Sequence, residues 1–273
     1  MAREISRDIG VGRTCWIESV YNDNIDNADL SETDLIVTVG GDGTILRSAR
    51  AAIGYDVPIL GVNMGRLGFM TELRAEEAVE KIPSYLSGDG WLEERSMLSV
   101  AVVNGDDACE TNVTQDYDAL NDAVLARGAE ARLIRVDAFV DGSKLTSYRA
   151  DAVIVSTATG STGYNLSAGG PILAPTAEEM IIKPVAPHVG LATAVVLGSA
   201  TTIKLVVESE DGAILSLDGF REQPIDKNDE LIIKISDKKV RFLRRVEARE
   251  FYASLTRRLG FEGGLGAGRA VFY

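Results

Sequence analysis

The chain has 273 residues, 45% of them apolar, and a formal charge of −13. That length is enough for two modest domains, and the apolar content supplies a packed core and excludes wholesale disorder. The acidic balance excludes non-specific binding to nucleic acid or an acidic membrane, which needs a basic face, but leaves room for a small anionic ligand in a local pocket.

The opening segment, MAREISRDIG, lacks the apolar run of a signal peptide. The most apolar later stretch, Leu191–Ala200, falls well short of the ~20 residues of a membrane span. A soluble cytoplasmic protein is expected. Cys15 and Cys109 are too few and too far apart for a disulfide framework or a zinc site, and both are expected as small buried hydrophobes.

Strand and helix signals alternate in the first third. Thr14–Val20 (TCWIESV) reads as a strand, and Asp34–Val39 (DLIVTV) as a short strand covered on both faces. Helical spacing follows over Thr44–Ile53, then a buried strand at Pro58–Asn63 and a helix over Ala75–Leu86 that ends at Gly88. This order predicts a parallel sheet. From Trp91 the pattern changes to short strands: Met97–Val103, Ala119–Arg127, Leu133–Val140, Lys144–Arg149, Ala152–Thr157, Ala192–Leu197, Thr202–Glu208, Ala213–Leu217, Glu230–Ser236 and Val240–Arg244. Asp141-Gly142 signals a tight hairpin between two of them. Phe251–Leu259 reads as a last helix before a glycine-rich tail expected to be mobile. The expected division is an α/β domain over 1–92, a β-rich domain over 93–248, and a C-terminal segment over 249–273.

VTVGGDGTIL, Val37–Leu46, ends a strand in glycines and opens a helix. Glycine lets the backbone bend sharply and approach a ligand without a Cβ in the way. The helix start offers unpaired N–H groups and the positive end of its dipole, which suits phosphate. The sequence holds neither GxGxxG nor the P-loop pattern, so this is neither of those sites. A carboxylate among such amides repels phosphate unless it has another task. Asp42 is therefore read as binding Mg²⁺ or as accepting a proton from an attacking hydroxyl, the role an aspartate fills in phosphoryl transfer. The plainer reading is a solvent-facing turn with Asp as the turn former.

Thr157–Asn165 (TATGSTGYN) is dense in hydroxyls and small residues after an apolar strand, a set of donors on a rigid scaffold. Asn121-Asp122 lies near a strand start, where an amide that both donates and accepts can grip two ribose hydroxyls; an ordinary turn is the alternative. His188 is the only histidine, its approach fixed by Pro184 and Pro187, and reads as a binding residue rather than a base. Asp218 in LDG reads as a hairpin turn. Arg66 is either a phosphate contact or a loop charge.

GGDGT at Gly40–Thr44 resembles the signature of NAD kinases, of diacylglycerol-type lipid kinases and, more loosely, of phosphofructokinases. GVNMGRLGFMTE (61–72), NDAVLARG (121–128), KPVAPH (183–188), LDG (217–219) and above all DAVIVSTATGSTGYNLSAGGPI (151–172) resemble segments of the NAD kinase family. The resemblance implies an α/β domain with a parallel sheet, a large β-sandwich domain, and a C-terminal helix returning to the first domain. It implies phosphoryl transfer from ATP or polyphosphate to the 2′-hydroxyl of the adenosine ribose of NAD, with a divalent metal, usually Mg²⁺, in a homodimer or homotetramer.

Carried over by position, Asp42 is the base. Gly40, Gly41, Gly43, Thr44 and Arg66 face phosphate. Phe69 lies beside adenine. Asn121 and Asp122, with Asp151, Thr159, Thr162, Gly163, Tyr164, Ser167 and His188, line the dinucleotide site, along with Asp42 and Gly43. Three departures stand out: Asp122 where the family usually has Glu, Phe220 where it usually has Gln, and a start within what resembles the family's first helix (AREISRDIG), without the opening strand. Other readings are a related kinase of a lipid or sugar phosphate, or a non-catalytic NAD(P)-binding sensor.

Overall fold

In a computed structural model, residues 1–9, 13–21, 30–65, 68–105, 113–128 and 132–259 are described. The chain forms two compact units, Met1–Glu94 with Val240–Tyr273, and Arg95–Lys239.

The first unit opens with α1 (Ala2–Ile9), then β1 (Ile36–Gly40), α2 (Asp42–Ala52), β2 (Ile59–Asn63), a short β3 (Leu73–Arg74) and α3 (Ala75–Leu86). β1 and β2 pair in parallel, with Gly40 opposite Asn63. This is the strand–helix–strand crossover that the alternating pattern predicts. β2 is buried at all five positions, which accounts for its continuous apolar run. β1 is only partly covered, with Thr38 its one buried residue. Ile5 of α1 joins Leu60, Val62, Leu73, Ala78, Ile82 and Tyr85 in one apolar cluster. α3 ends before Gly88, whose φ of +94° is the left-handed conformation that favours glycine after a helix.

The chain enters the second unit through β4 (Trp91–Val103). There follow β5 (Val113–Ala119), β6 (Asp122–Ala126), β7 (Ile134–Val140), β8 (Ser143–Ala150), β9 (Ala152–Ser156), the one-turn α4 (Tyr164–Ser167), β10 (Met180–Val185), β11 (Val195–Leu197), β12 (Ile203–Val207), β13 (Ala213–Leu217), β14 (Arg221–Ile225) and β15 (Glu230–Arg244). β15 carries the chain back to the first unit, which α5 (Glu250–Arg258) completes. Within the second unit, β11-β10-β9-β6-β13-β14 form one antiparallel sheet. β8, β7, β12 and the start of β15 form a second antiparallel array. Alternate residues of both, among them Leu125, Val155, Ile182, Leu205 and Leu215, fill a common core, the arrangement of a β-sandwich. Asp141 and Gly142, at φ of +47° and +77°, make the tight turn between β7 and β8 that the Asp-Gly pair predicts.

The structure corrects several expectations. Thr14–Val20 is not a strand. It pairs with no neighbour among the described residues, and Trp16 and Ile17 stand exposed, so β-forming residues alone do not make a strand there. Cys15, expected to be buried, is exposed on the same segment; Cys109, Arg66 and the glycine-rich tail lie outside the described residues. The strand expected over Ala119–Arg127 is β6, which starts only at Asp122 after the Leu120-Asn121 corner, and β5 before that corner was not expected, while those at 230–236 and 240–244 merge into β15, whose buried positions resume after the exposed Asp237-Lys238-Lys239 run. β10 and β14 were not among the expected strands, and each contains a proline. Pro184 lies beyond the three residues that pair with β11, and Pro224 lies on an edge strand, so neither costs a ladder hydrogen bond.

Candidate functional site

β1 delivers the glycine–aspartate turn to the start of α2. The helix begins at Asp42, with Gly41 as its N-cap in extended backbone and no side chain capping it. Thr44 and Ile45 donate their amides to the Gly41 carbonyl, while the amides of Asp42 and Gly43 have no partner among the described residues. Two donors and the positive helix end therefore face outward. The glycines divide by role. A Cβ at Gly40 would stand 2.2 Å from Thr44 Oγ1, so packing demands glycine there. Gly41 and Gly43 have negative or unremarkable backbone angles and nothing within 4 Å of where a Cβ would be. Neither strain nor packing demands glycine at these two exposed positions.

Asp42 Oδ2 accepts the Phe69 amide at 2.8 Å and Oδ1 accepts the Met70 amide at 3.1 Å. This ties the start of α2 to the segment that follows β2. A Cβ at Gly68 would lie 2.1–2.8 Å from the three carboxyl atoms of Asp42, so the carboxylate sits there only because residue 68 has no side chain. Phe69 in turn gives its carbonyl to Arg258 of α5 at 3.0 Å, and its ring packs beside Arg258 and Phe251. A carboxylate offers about four lone-pair positions. Two are used among the described residues.

In the second unit, Asn121 occupies the corner between β5 and β6. Its carbonyl accepts the Thr157 amide at 2.9 Å, and Thr157 Oγ1 donates to the Leu120 carbonyl at 2.6 Å. A Cβ at Gly160 would stand 2.0 Å from the Asn121 carbonyl oxygen, and one at Gly163 would stand 3.7 Å from Asn121 Nδ2. The TATGSTG loop thus packs directly on this corner. Asn121 Oδ1 is buried with no hydrogen-bond partner among the described residues, an acceptor that a ligand donor would satisfy.

Asp122 is buried, at 6% exposure. Burial first, and the negative charge of Asp218 second, push its carboxyl up to about 7. An unfolded aspartate titrates near ~3.9. Between those values the native state holds a proton that the unfolded chain has lost, so stability falls as pH rises from about 4 to about 7 and the penalty is full above that. Asp122→Asn is accordingly expected to be more stable than the parent at pH 8, by roughly 1–3 kcal/mol, with the difference vanishing toward pH 4. Urea unfolding at the two pH values measures it.

The remaining predicted residues have the following surroundings. Tyr164 is exposed, and burial, then Asp151, then Asp122 raise its phenol above the usual range. Asp151 pairs with Arg127 at 3.2 Å. Thr162 Oγ1 donates to the Thr159 carbonyl, and the exposed Ser167 hydroxyl lies 3.5 Å from the Gly163 carbonyl. Exposed His188 is fixed by its own amide, which donates to the Arg149 carbonyl at 2.8 Å. Thr159, expected to line the ligand site, is buried and turns its hydroxyl to Arg95. Phe69, expected beside adenine, spends its ring on Phe251 and Arg258.

Two residues that shape the site were not singled out from sequence, Gly68 and Asn165, and a third, Asp218, was read only as a turn former, which it also is. Asn165 is fully buried and donates to the Ser161 and Pro171 carbonyls, pinning the loop from inside. A Cβ at Gly170 would meet its Oδ1 at 2.0 Å. The Asn-x-x-x-x-Gly spacing was the only local signal for that contact.

Residues 16–90 match the ATP-NAD kinase N-terminal domain and residues 120–245 the ATP-NAD kinase C-terminal domain. The chain is 42% identical over 244 residues to an NAD kinase of Dehalococcoides mccartyi, covering 89% of this chain and 84% of that one. Among solved structures it is similar to an NAD kinase from Archaeoglobus fulgidus in complex with ATP (TM-score 0.76, 27% identity, 96% of this chain and 95% of that one). It is likewise similar to yeast NADH kinase complexed with NADH (TM-score 0.78, 29% identity, 87% of this chain and 69% of that one). An aspartate clamped at a helix start with two free amides is thus found in a chain whose two parts both match one family of nucleotide kinases: the chain belongs to the ATP-NAD kinase family.

Proposed function

We propose that the protein transfers the γ-phosphoryl group of ATP to the 2′-hydroxyl of the adenosine ribose of NAD, forming NADP and ADP. Asp42 receives the hydroxyl proton as the ribose oxygen bonds to phosphorus and the bond to the β-phosphate oxygen breaks. The observation that carries this reading is the Asp42 carboxylate itself, held by two amides with lone pairs to spare beside the outward N–H groups of α2. Those N–H groups, with the open backbone at Gly41 and Gly43, receive phosphate oxygens. The Asn121 amide and the Asp122 carboxyl hold ribose, and Tyr164, Asp151, Ser167 and His188 border the rest of the dinucleotide.

Among the described residues no three His, Cys, Asp or Glu side chains gather as a metal cage. A divalent ion, Mg²⁺ by family resemblance, therefore fits here as a companion of the donor's phosphates, where it neutralises charge. No helix among the described residues is long and apolar enough to cross a membrane; a cytoplasmic location is part of this reading. So is assembly into a homodimer or homotetramer, supported by the exposed Val189, Leu191 and Val196 near the edge strand β11.

The test is NADP formation by the purified protein with NAD and Mg²⁺, run with ATP and with polyphosphate in parallel and read through an NADP-specific dehydrogenase. NADP with ATP is expected. Turnover of lipid or sugar phosphates instead, or tight NAD binding without any product, would replace this reading by one of the two alternatives.

A further inference from the structure

Asp218 was read from sequence as a turn residue, and the structure gives it more. It does sit in the turn between β13 and β14, at φ +52° beside Gly219 at +71°. Yet its side chain points away from that hairpin's own backbone. Asp218 Oδ1 accepts the amides of Asn121 at 2.7 Å and Asp122 at 3.1 Å, and Oδ2 accepts that of Leu120 at 2.9 Å. Its own amide donates to the Asp122 carbonyl at 3.0 Å. Four hydrogen bonds thus join one residue to a three-residue corner nearly a hundred positions earlier in the chain.

We propose that Asp218 is a positioning residue for the dinucleotide site: its carboxylate gathers the amides of Leu120, Asn121 and Asp122 and so fixes where Asn121 presents its unpartnered side-chain oxygen. This rests on the function proposed above. Three convergent N–H groups require an acceptor with no proton to offer, which a carboxylate is and an amide is not. The positive φ at residue 218 belongs to the tight Asp-Gly turn, from which the side chain reaches the corner. The corner is held from its other side by Thr157 on the carbonyls of Leu120 and Asn121, so Asp218 supplies the donor half of a two-sided grip. The same charge also acts on the Asp122 carboxyl, and the charges of Asp151 and Asp122 act in turn on the Tyr164 phenol of α4.

The experiment compares Asp218→Asn and Asp218→Gly, both of which tolerate a positive φ, with the parent. The expected result is a KM for NAD raised about ten- to a hundredfold, more in Gly than in Asn, with the KM for ATP and kcat changed by less than about threefold. Any limb near neutral pH in kcat/KM for NAD moves to lower pH in both variants, because the charge that helps Asp122 keep its proton is gone. A merely structural role would instead lower kcat with the folded fraction and leave both KM values and the pH limb in place; that result overturns the proposal. Amide hydrogen exchange on the unaltered protein tests it without a variant. The Asn121 amide is expected to be protected as well as those within β6, and exchange at the rate of an exposed loop would overturn the claim. Absence of NADP formation by the parent protein bears on the proposed function alone, and the exchange result then stands by itself.

Discussion

Asp42→Asn is expected to lower kcat for NADP formation by ~10²–10⁴-fold, the range that general-base catalysis supplies. The substitution keeps the shape of the side chain and removes its capacity to take a proton. It does a second thing that the sequence does not reveal. Asp42 accepts one amide on each oxygen, from Phe69 and from Met70. An asparagine can satisfy one of them and must turn its own NH₂ toward the other, leaving donor against donor at a cost of about 1–3 kcal/mol. The variant is therefore expected to lose stability as well as rate, while affinity for NAD, measured by calorimetry, stays within a few-fold. If kcat stayed within threefold of the parent's, Asp42 would be a structural clamp only.

Gly68→Ala is expected to reproduce most of that loss without touching the carboxylate chemically. The added Cβ would have to occupy space 2.1 Å from Asp42 Oδ1 and 2.6 Å from its carboxyl carbon. Either the carboxylate or the 68–70 backbone must move. Overpacking of this kind typically costs about 1–3 kcal/mol in stability, and displacing a reacting group by ~1 Å costs about 10²-fold in rate. The signature is a folded protein, checked by its unfolding midpoint, with kcat reduced roughly a hundredfold. Gly43→Ala offers the contrast, because its Cβ would meet no protein atom; a rate loss there would come from the ligand side.

Much of the architecture was legible because its signals are local. DLIVTV and PILGVN gave β1 and β2 through their continuous apolar runs, GGDGT marked the start of α2, and Asp141-Gly142 gave a hairpin with both residues at positive φ. What escaped notice depends on partners distant in sequence. TCWIESV has strand composition, yet no strand pairs with it among the described residues. β10 and β14 carry Pro184 and Pro224 and depend on neighbours that happen not to need those amides. The site divides the same way. Asp42 and Asn121 were singled out from residue type and context, and each sits in a constrained corner of the structure. Thr159 was carried into the site by its motif, whereas its hydroxyl belongs to Arg95 inside the fold. Gly68 was passed over, and Asp218 was read only as a turn former, because their further importance lies in what they meet, a carboxylate 26 positions back and a run of three amides 96 to 98 positions back.

The account depends on one contact, between the Asp42 carboxylate and the 2′-hydroxyl of the adenosine ribose. A crystal structure of the protein with NAD and a non-transferable ATP analogue measures it directly. The predicted separation is a hydrogen bond, about 2.6–3.2 Å between oxygens or one water apart, with the γ-phosphate analogue on the far side of the hydroxyl. A complex in which the 2′-hydroxyl faces a different base, and Asp42 still holds only the amides of Phe69 and Met70, would contradict it.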